Sequence, residues 1–311
     1  MPAASLQPLR FQLGARTPFS VRRRLQRMPL SLADALAGGE PELAPLDHDD
    51  DGYLVTSLPI AAIDLLARRN PGLKPFVYQD YSRRFADLTL GFEDYMQCFS
   101  AKARSTLRRK LRKFAELGGS GIDVRAYRSP AEMLEFHRIA REISRRTYQE
   151  RLLDAGLPDG EEFAAEMAKL AAAGEVRAWL LFLESRPVSY LYAPAAGDTL
   201  IYAYLGYDPD FAQHSPGTVL QLEAMREVMA EGRFRLFDFT EGDGQHKRQF
   251  ATGSVDCADL LLLRPSLSNR LTMAALGAFN GAVSLAKAAL RGPAARQVAA
   301  RLKFYTNRPN K

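Results

Sequence analysis

Cysteine is almost missing from this chain: Cys98 and Cys257 are the two present among 311 residues. With no CxxC pair and no Cys/His cluster, a zinc site is not expected. So few thiols fit a reducing compartment. Both sit in apolar surroundings with no histidine close by in sequence, and both are read as core residues rather than as nucleophiles or a disulfide. Long apolar runs are missing too. The nearest, LTMAALGAFNGAVSLA (271–286), lies between Arg270 and Lys287 and falls short of the roughly 18 residues of a membrane span. Residues 1–30 hold no apolar segment of the kind that marks a secretory signal. They carry six arginines and no acid, a pattern read as surface residues of a first strand and helix rather than as a transit peptide. No repeat of solenoid period is visible. The location expected is cytoplasmic, with peripheral contact at the inner face of the membrane as its furthest reach.

What is present is a globular composition, 47% hydrophobic and 25% charged, enough to bury a core and too apolar for disorder to dominate. The length is comfortable for two domains. Lys and Arg number 42 against 36 Asp and Glu, a net charge of +6. Such a surface attracts anions: phosphorylated cofactors, nucleotide-sugars, RNA or acidic lipid heads.

Up to residue 91 the chain mixes short strand-like runs with helices, 59–69 (PIAAIDLLARR) among the latter. The acidic run DHDDD at 47–51 reads as a solvated loop tip without the ligand spacing of a calcium loop. In 92–121, Ala103, Leu107, Leu111, Phe114 and Leu117 recur at helical spacing. The opposite face carries Lys102, Arg104, Arg108, Arg109, Lys110, Arg112 and Lys113, with no acid between Asp94 and Glu116. Gly118, Gly119, Ser120 and Gly121 then end the helix in a flexible joint.

Beyond the joint the order becomes regular. A strand at 122–127 precedes a capping box, Ser129 to Glu132 with Pro130 at the first helical position. The helix it opens has the core stripe Met133, Phe136, Ala140 and Ile143. A second helix spans 159–173. Strands at 176–183, 188–193 and 199–205 follow on short turns that predict hairpins. A helix at 216–230, ended by Gly232, leads to a strand at 234–239 and one more. Hairpins in sequence followed by one crossover helix predict an α/β (α+β) fold with a mixed, mostly antiparallel central sheet flanked by helices. Four segments are expected: a first lobe (1–91), a basic connecting helix and joint (92–121), the main domain (122–265) and an amphipathic basic helical tail (266–311).

Two stretches carry chemistry. At 215–218, Ser215 can cap the helix, Pro216 wastes no donor, and Gly217 leaves the backbone exposed. A helix N-terminus of this kind offers N–H groups and positive dipole to an anion such as pyrophosphate; an ordinary well-capped helix is the plainer account. At 237–250, FDFTEGDGQHKRQF, a buried strand ends in Asp238, Glu241 and Asp243 on a glycine-loosened loop, and His246, Lys247 and Arg248 follow at once. These groups suit proton transfer and anion stabilisation, or make up a charged solvent loop.

Three stretches together resemble a family: FSAKARSTLRRKLRKF (99–114), YDPDFAQHSPGTVL (207–220) and FDFTEGDGQHKRQFATG (237–253). They are similar to FemAB-related acyltransferases of the GNAT superfamily, of the kind labelled cellulose-biosynthesis (CelD) type, over residues 92 to about 264. The resemblance implies two GNAT-like lobes, the first degenerate. It implies acyl-CoA as co-substrate and no metal. The CoA pyrophosphate maps onto Gln213, Ser215, Gly217 and Thr218, and the acyl carbonyl along the preceding strand, at Tyr204 and Leu205. Lys247 matches a lysine that supports the transition state, with His246 in place of an aromatic. Asp238, Glu241 and Asp243 fall at the acceptor side, where Asp243 or Glu241, with His246 as competitor, would take the amine proton. Arg146, Tyr148, Tyr207 and Arg248 are expected to face the acceptor.

The activity so implied is N-acylation of an amine on a cell-envelope substrate, such as an amino sugar of an exopolysaccharide. A long-chain acyltransferase acting on a lipid amine, of the bacterial ceramide-synthase type, is an alternative. It draws on the apolar 268–291 segment and the following Arg296, Arg301 and Lys303, which suit an anionic membrane surface. An aminoacyl-tRNA-dependent transferase of FemX type is a further alternative, its basic 102–113 helix facing RNA phosphates, although nucleic acid is not the partner expected.

Overall fold

A computed structural model describes residues 4–13, 16–119, 121–147, 156–242 and 244–291. Along the chain run β1 (Ser5–Leu13), β2 (Arg16–Pro29), α1 (Leu32–Leu36), β3 (Gly52–Pro59), α2 (Ile63–Arg69), β4 (Lys74–Asp87), α3 (Phe92–Gln97) and α4 (Ala101–Leu117). Then come β5 (Asp123–Tyr127), α5 (Pro130–Ser144), α6 (Glu161–Ala172), β6 (Val176–Leu183), β7 (Arg186–Ala196), β8 (Thr199–Ile201) and β9 (Tyr204–Tyr207). A 3-10 turn (Pro209–His214), α7 (Pro216–Glu231), β10 (Leu236–Asp238), α8 (Gln245–Phe250), β11 (Gly253–Leu263) and α9 (Leu267–Arg291) complete it. The fold is mixed α/β with mostly antiparallel strands flanked by helices, as the order of elements predicts.

Two elements differ from expectation. The helix at 59–69 starts late, because Pro59 ends β3 and residues 60–62 wind as a 3-10 turn before α2. The strand expected at 199–205 is broken into β8 and β9, and the functional site depends on that break.

The chain forms two compact units. One takes the residues up to Pro29, Glu40–Gln79 and those from Ala258 onward; the other takes Leu30–Gly39 and Asp80–Cys257. They interleave along the sequence, where four consecutive segments were expected. In the first unit β1 pairs antiparallel with β2, and β2 parallel with β3. The helix α9 returns to these N-terminal strands: Leu276 is buried with Leu9, Phe11 and Leu25, and the Phe279 ring stands edge-on to Phe11 and Phe19. Burial of Leu276 and packing of Phe279 against this cluster draw the C-terminal helix into the first unit instead of leaving it a tail. Residues 292–311, with Arg296, Arg301 and Lys303, lie outside the described residues. Among the described residues no helix is long and apolar enough to cross a membrane. In the 47–51 run Asp47, His48 and Asp49 are exposed, as a solvated tip requires, but Asp50 is buried and accepts hydrogen bonds from Asp47 N at 3.0 Å and Arg24 Nε at 3.2 Å.

The second unit has the strand order β4-β10-β8-β7-β6-β5, with β9 pairing β7. α5 opens with the capping box expected of Ser129 and Glu132, and Met133, Phe136, Ala140 and Ile143 are buried. α4 is a wall of this unit rather than a connector: Leu107 and Phe114 are buried in one cluster with Trp179, Leu181, Val219 and Leu222. Leu117, the last residue of the expected stripe, is exposed. Cys257 is buried and Cys98 exposed, and neither is in a disulfide, so the core reading of Cys98 is corrected: it caps α3 at the surface.

Asp238 ends β10 and is 1% exposed. Its carboxylate accepts from Arg83 Nη2 at 2.5 Å, from Arg83 Nε at 3.2 Å and from the Thr240 N–H at 2.8 Å. Arg83 also donates to Leu30 O at 2.9 Å. Burial alone would lower the Arg83 pKa, but its bonds and charge contact with Asp238 hold it above the ordinary value. Removing one partner strands a buried charge, so Asp238→Ala is expected to cost about 3–5 kcal/mol in urea unfolding. The double substitution Arg83→Met with Asp238→Leu should recover most of that loss.

Candidate functional site

β8 and β9 belong to one strand that changes partners. β8 lies parallel to β10, with Leu236, Phe237 and Asp238 opposite Thr199, Leu200 and Ile201. The last bond of this ladder runs from Tyr202 N to Asp238 O, 2.8 Å. Past it, Phe239 N turns to Arg84 O at 2.9 Å, while β9 pairs with β7 from Tyr204↔Tyr192 to Tyr207↔Ser189. The two strands part, and a wedge opens between β9 and the chain after β10.

A cavity of about 280 Å³ fills this wedge. Tyr202, Leu205 and Tyr207 line it from the broken strand; Ser215, Gly217, Thr218 and Gln221 line it from the start of α7. His246 and Phe250 close it from α8, with Ala212 contributed by the 3-10 turn. Strand alternation decides between the two expected neighbours on β9. Leu205 faces the cavity, whereas Tyr204 lies on the other face, its ring 5.9 Å from Phe163 and 6.3 Å from Tyr192.

The start of α7 has its own geometry. Ser215 stands in the left-handed region (φ 55°) and its side chain makes no capping bond, contrary to the expected cap. The N–H groups of Thr218 and Val219 bond back to Ser215 O at 3.0 and 3.2 Å. Gly217 N–H has no partner among the described residues. A Cβ on Gly217 would stand 3.0 Å from Leu205 Cδ2 and 3.4 Å from Tyr207 Cδ1, so glycine here lets the helix meet β9 closely. Above this turn, Lys110 of α4 donates to Thr218 Oγ1 at 3.3 Å. Burial, with Arg109 beside it, lowers the Lys110 pKa. An N–H, a hydroxyl and an ammonium thus converge at a helix N-terminus, a donor set suited to phosphate oxygens.

At the opposite wall His246 lies 5.7 Å from the Tyr202 ring, centroid to centroid. Burial, then the charge of Lys247, lowers its pKa below the ordinary value of 6.5. The imidazole is therefore neutral at pH 7 and able to accept a proton. Burial also lowers the pKa of Lys247 against the pull of Glu241 and Asp238. Its ammonium is spent within the loop, on Thr240 Oγ1 at 3.3 Å and on the Glu241 carbonyl. Burial raises the Tyr202 phenol well above its ordinary range, so it stays protonated.

Of the residues singled out from sequence, Leu205, Tyr207, Ser215, Gly217, Thr218 and His246 meet at the cavity. Asp238 does not line it and is held by Arg83. Arg146 is engaged elsewhere: it reaches Asp208 and Asp210, each at 2.6 Å, and Arg186 shares Asp208 at 2.7 Å. Gln213 is exposed, its amide 3.1 Å from His214 Nε2. Glu241 and Arg248 are surface residues away from the cavity lining. Tyr148 and Asp243 fall outside the described residues. Sequence reasoning missed Lys110, one of seven cations on its helix, and Gln221, whose signal was a polar residue inside the apolar run VLQLEAM.

Residues 101–248 match the family model of an acetyltransferase (GNAT) domain, a span from α4 to α8 that contains every lining residue but Phe250. Among solved structures, the chain is similar to the C-terminal domain of a putative lysylphosphatidylglycerol synthetase from Agrobacterium fabrum. The identity is 11%, covering 72% of this chain and 71% of that one, with a TM-score of 0.50. L-PGS from Bacillus licheniformis gives 15% identity over 71% and 70%, TM-score 0.46; FemX gives 12% over 69% and 72%, TM-score 0.47. At 11% identity the first of these likenesses concerns the fold alone. No curated protein matches the chain in sequence.

Gly217→Val would drive its methyl groups into Leu205 and Tyr207. A cost of about 1–3 kcal/mol in urea unfolding is expected from such overpacking, together with loss of pyrophosphate binding in a calorimetric titration.

Proposed function

Taking residues 101–248 as an acetyltransferase (GNAT) domain, we propose that this protein transfers an acyl group from a coenzyme A thioester to an amine. The observation that carries the reading is the junction of a phosphate cradle, Gly217, Thr218 and Lys110, with a cavity in the wedge beside it. The residues present fit the donor. The cradle matches a pyrophosphate, and the edge of β9 that β10 leaves unpaired presents backbone groups to an extended arm. When bound, the thioester supplies an electrophilic carbonyl and a good leaving group.

The protein's own residues do the rest. Lys110 and the α7 N-terminus hold the phosphates by charge and dipole. Backbone N–H groups at the wedge stabilise the developing oxyanion. An amine must lose a proton to attack, and neutral His246 at the cavity rim is the group placed to take it. Tyr202, protonated and facing the same cavity, is placed to donate a hydrogen bond. Lys247 ties Thr240 and Glu241 to α8.

The acceptor we assign is an amine of a cell-envelope substrate, an amino sugar of an exopolysaccharide, on the resemblance of 99–114, 207–220 and 237–253 to FemAB-related enzymes. One observation favours a second reading, a lipid-borne amine: α9 leaves Leu267, Leu271 and Leu285 exposed.

Calorimetry with acetyl-CoA and palmitoyl-CoA tests both. Binding of acetyl-CoA without gain from the long chain supports the amino-sugar acceptor. A steep gain, about 0.8 kcal/mol for each buried CH₂, supports the lipid amine. Binding of neither removes the acyl-CoA reading. The His246 role has a pH signature as well. A base with a lowered pKa is active above that pKa and lost below it, so the acid limb of the rate is expected to fall below pH 6.5. His246→Gln should abolish that limb and slow turnover by about 10²-fold; an unchanged pH profile would exclude His246 as the base.

A further inference from the structure

Gln221 is 2% exposed, lines the cavity, and makes no hydrogen bond through either Nε2 or Oε1. Its neighbours on α7, Val219, Leu220 and Leu222, are fully buried in the apolar core. A carboxamide in such a place loses its water and gains nothing, and leucine or methionine would serve packing better. Buried amides are nearly always paired, so this one is kept for a partner that enters the cavity.

The position says what kind. Gln221 follows Gly217 by four residues and Thr218 by three, so all three share one face of α7. Gln221 stands one turn deeper than the phosphate cradle, about 5.4 Å along the axis. A ligand anchored at the cradle and running into the wedge meets the carboxamide with the part just beyond its phosphates. To satisfy both atoms, that part must offer an acceptor to Nε2 and a donor to Oε1. An apolar chain offers neither and a phosphate or carboxylate offers acceptors alone. A chain that carries amides offers a carbonyl and an N–H along one edge. In coenzyme A the first amide lies a few carbon atoms beyond the pyrophosphate, within the reach of one helical turn.

We infer that Gln221 reads the amide-bearing arm of the donor, its Nε2 donating to one amide carbonyl and its Oε1 accepting from one amide N–H. The inference rests on the acyl-CoA reading and assigns that site a specificity residue. Gln221 holds the arm; it does not touch the reacting atoms.

The test is calorimetric titration of wild type and Gln221→Met with CoA and with 3′-phospho-ADP, the same nucleotide without the arm, beside thermal unfolding of both proteins free of ligand. Wild type should bind CoA more tightly than the nucleotide. Gln221→Met should weaken CoA about tenfold, as expected for two lost hydrogen bonds, and leave 3′-phospho-ADP unchanged. Ligand-free Gln221→Met should unfold at a higher temperature, because an unpaired buried amide is gone. The assignment is overturned if the variant binds CoA as wild type does, if both ligands weaken together, or if the unfolding temperature falls. Wild type that binds no CoA sinks the acyl-CoA reading and this one with it. Wild type that binds CoA with Gln221→Met unaffected sinks the Gln221 assignment alone.

Discussion

Between Ile201 and Tyr204 one strand gives up its bonds to β10 and keeps those to β7, and the site exists because of that change of partner. A sheet whose ladder ran on unbroken would leave no room for a ligand between strands, since paired strands sit about 4.8 Å apart. The parting needs an anchor, because strands left to themselves zip together. Arg83 supplies it. By holding Asp238 at the end of β10, it fixes the last shared bond at Tyr202 and sends the following chain along β4 through Phe239 and Arg84. A buried ion pair is a poor source of net stability; here its position ends a ladder at a defined residue.

Three parts of the chain meet over the opening thus made. α4 contributes a cation, α7 its N-terminus and an unpaired carboxamide, and α8 a neutral imidazole. Each carries a cost for the folded state: Lys110 and His246 are partly desolvated, Gln221 is unsatisfied, and Ser215 sits in a backbone conformation that L-residues disfavour. Costs gathered at one place, while the cores on either side are apolar and well filled, mark a site shaped for something other than stability.

Much of this was legible in the sequence. Apolar spacing located α4 and α5, Pro216 and Gly232 bounded α7, the Ser129–Glu132 box marked a helix start to the residue, and short turns gave the β6–β7 hairpin. The N-terminus of α7 and His246 stood out by residue type. Less legible was anything set by long-range pairing. The break at Tyr202 has no glycine or proline to announce it; it follows from partners 36 residues on, at Asp238. Tyr204 and Leu205 could not be told apart before the strand's facing was known. The return of α9 to the first unit goes with contacts of Phe279 to Phe11 and Phe19, which no local pattern encodes. Asp238 had the residue type of a proton acceptor, and only its burial against Arg83 shows it to be occupied.

The segment that joins β9 to α7 is held in an unusual way. None of Pro209–His214 is buried, and the turn is tied down chiefly where Arg146 and Arg186 converge on Asp208, with Asp210 as second partner of Arg146. Phe211 adds a partly buried ring packed on the apolar cluster beneath, with the Arg186 guanidinium 4.9 Å above it, so salt links and one ring share the hold. Rising ionic strength weakens the first part of that hold and leaves the second, so the surrounding electrolyte loosens the turn without freeing it.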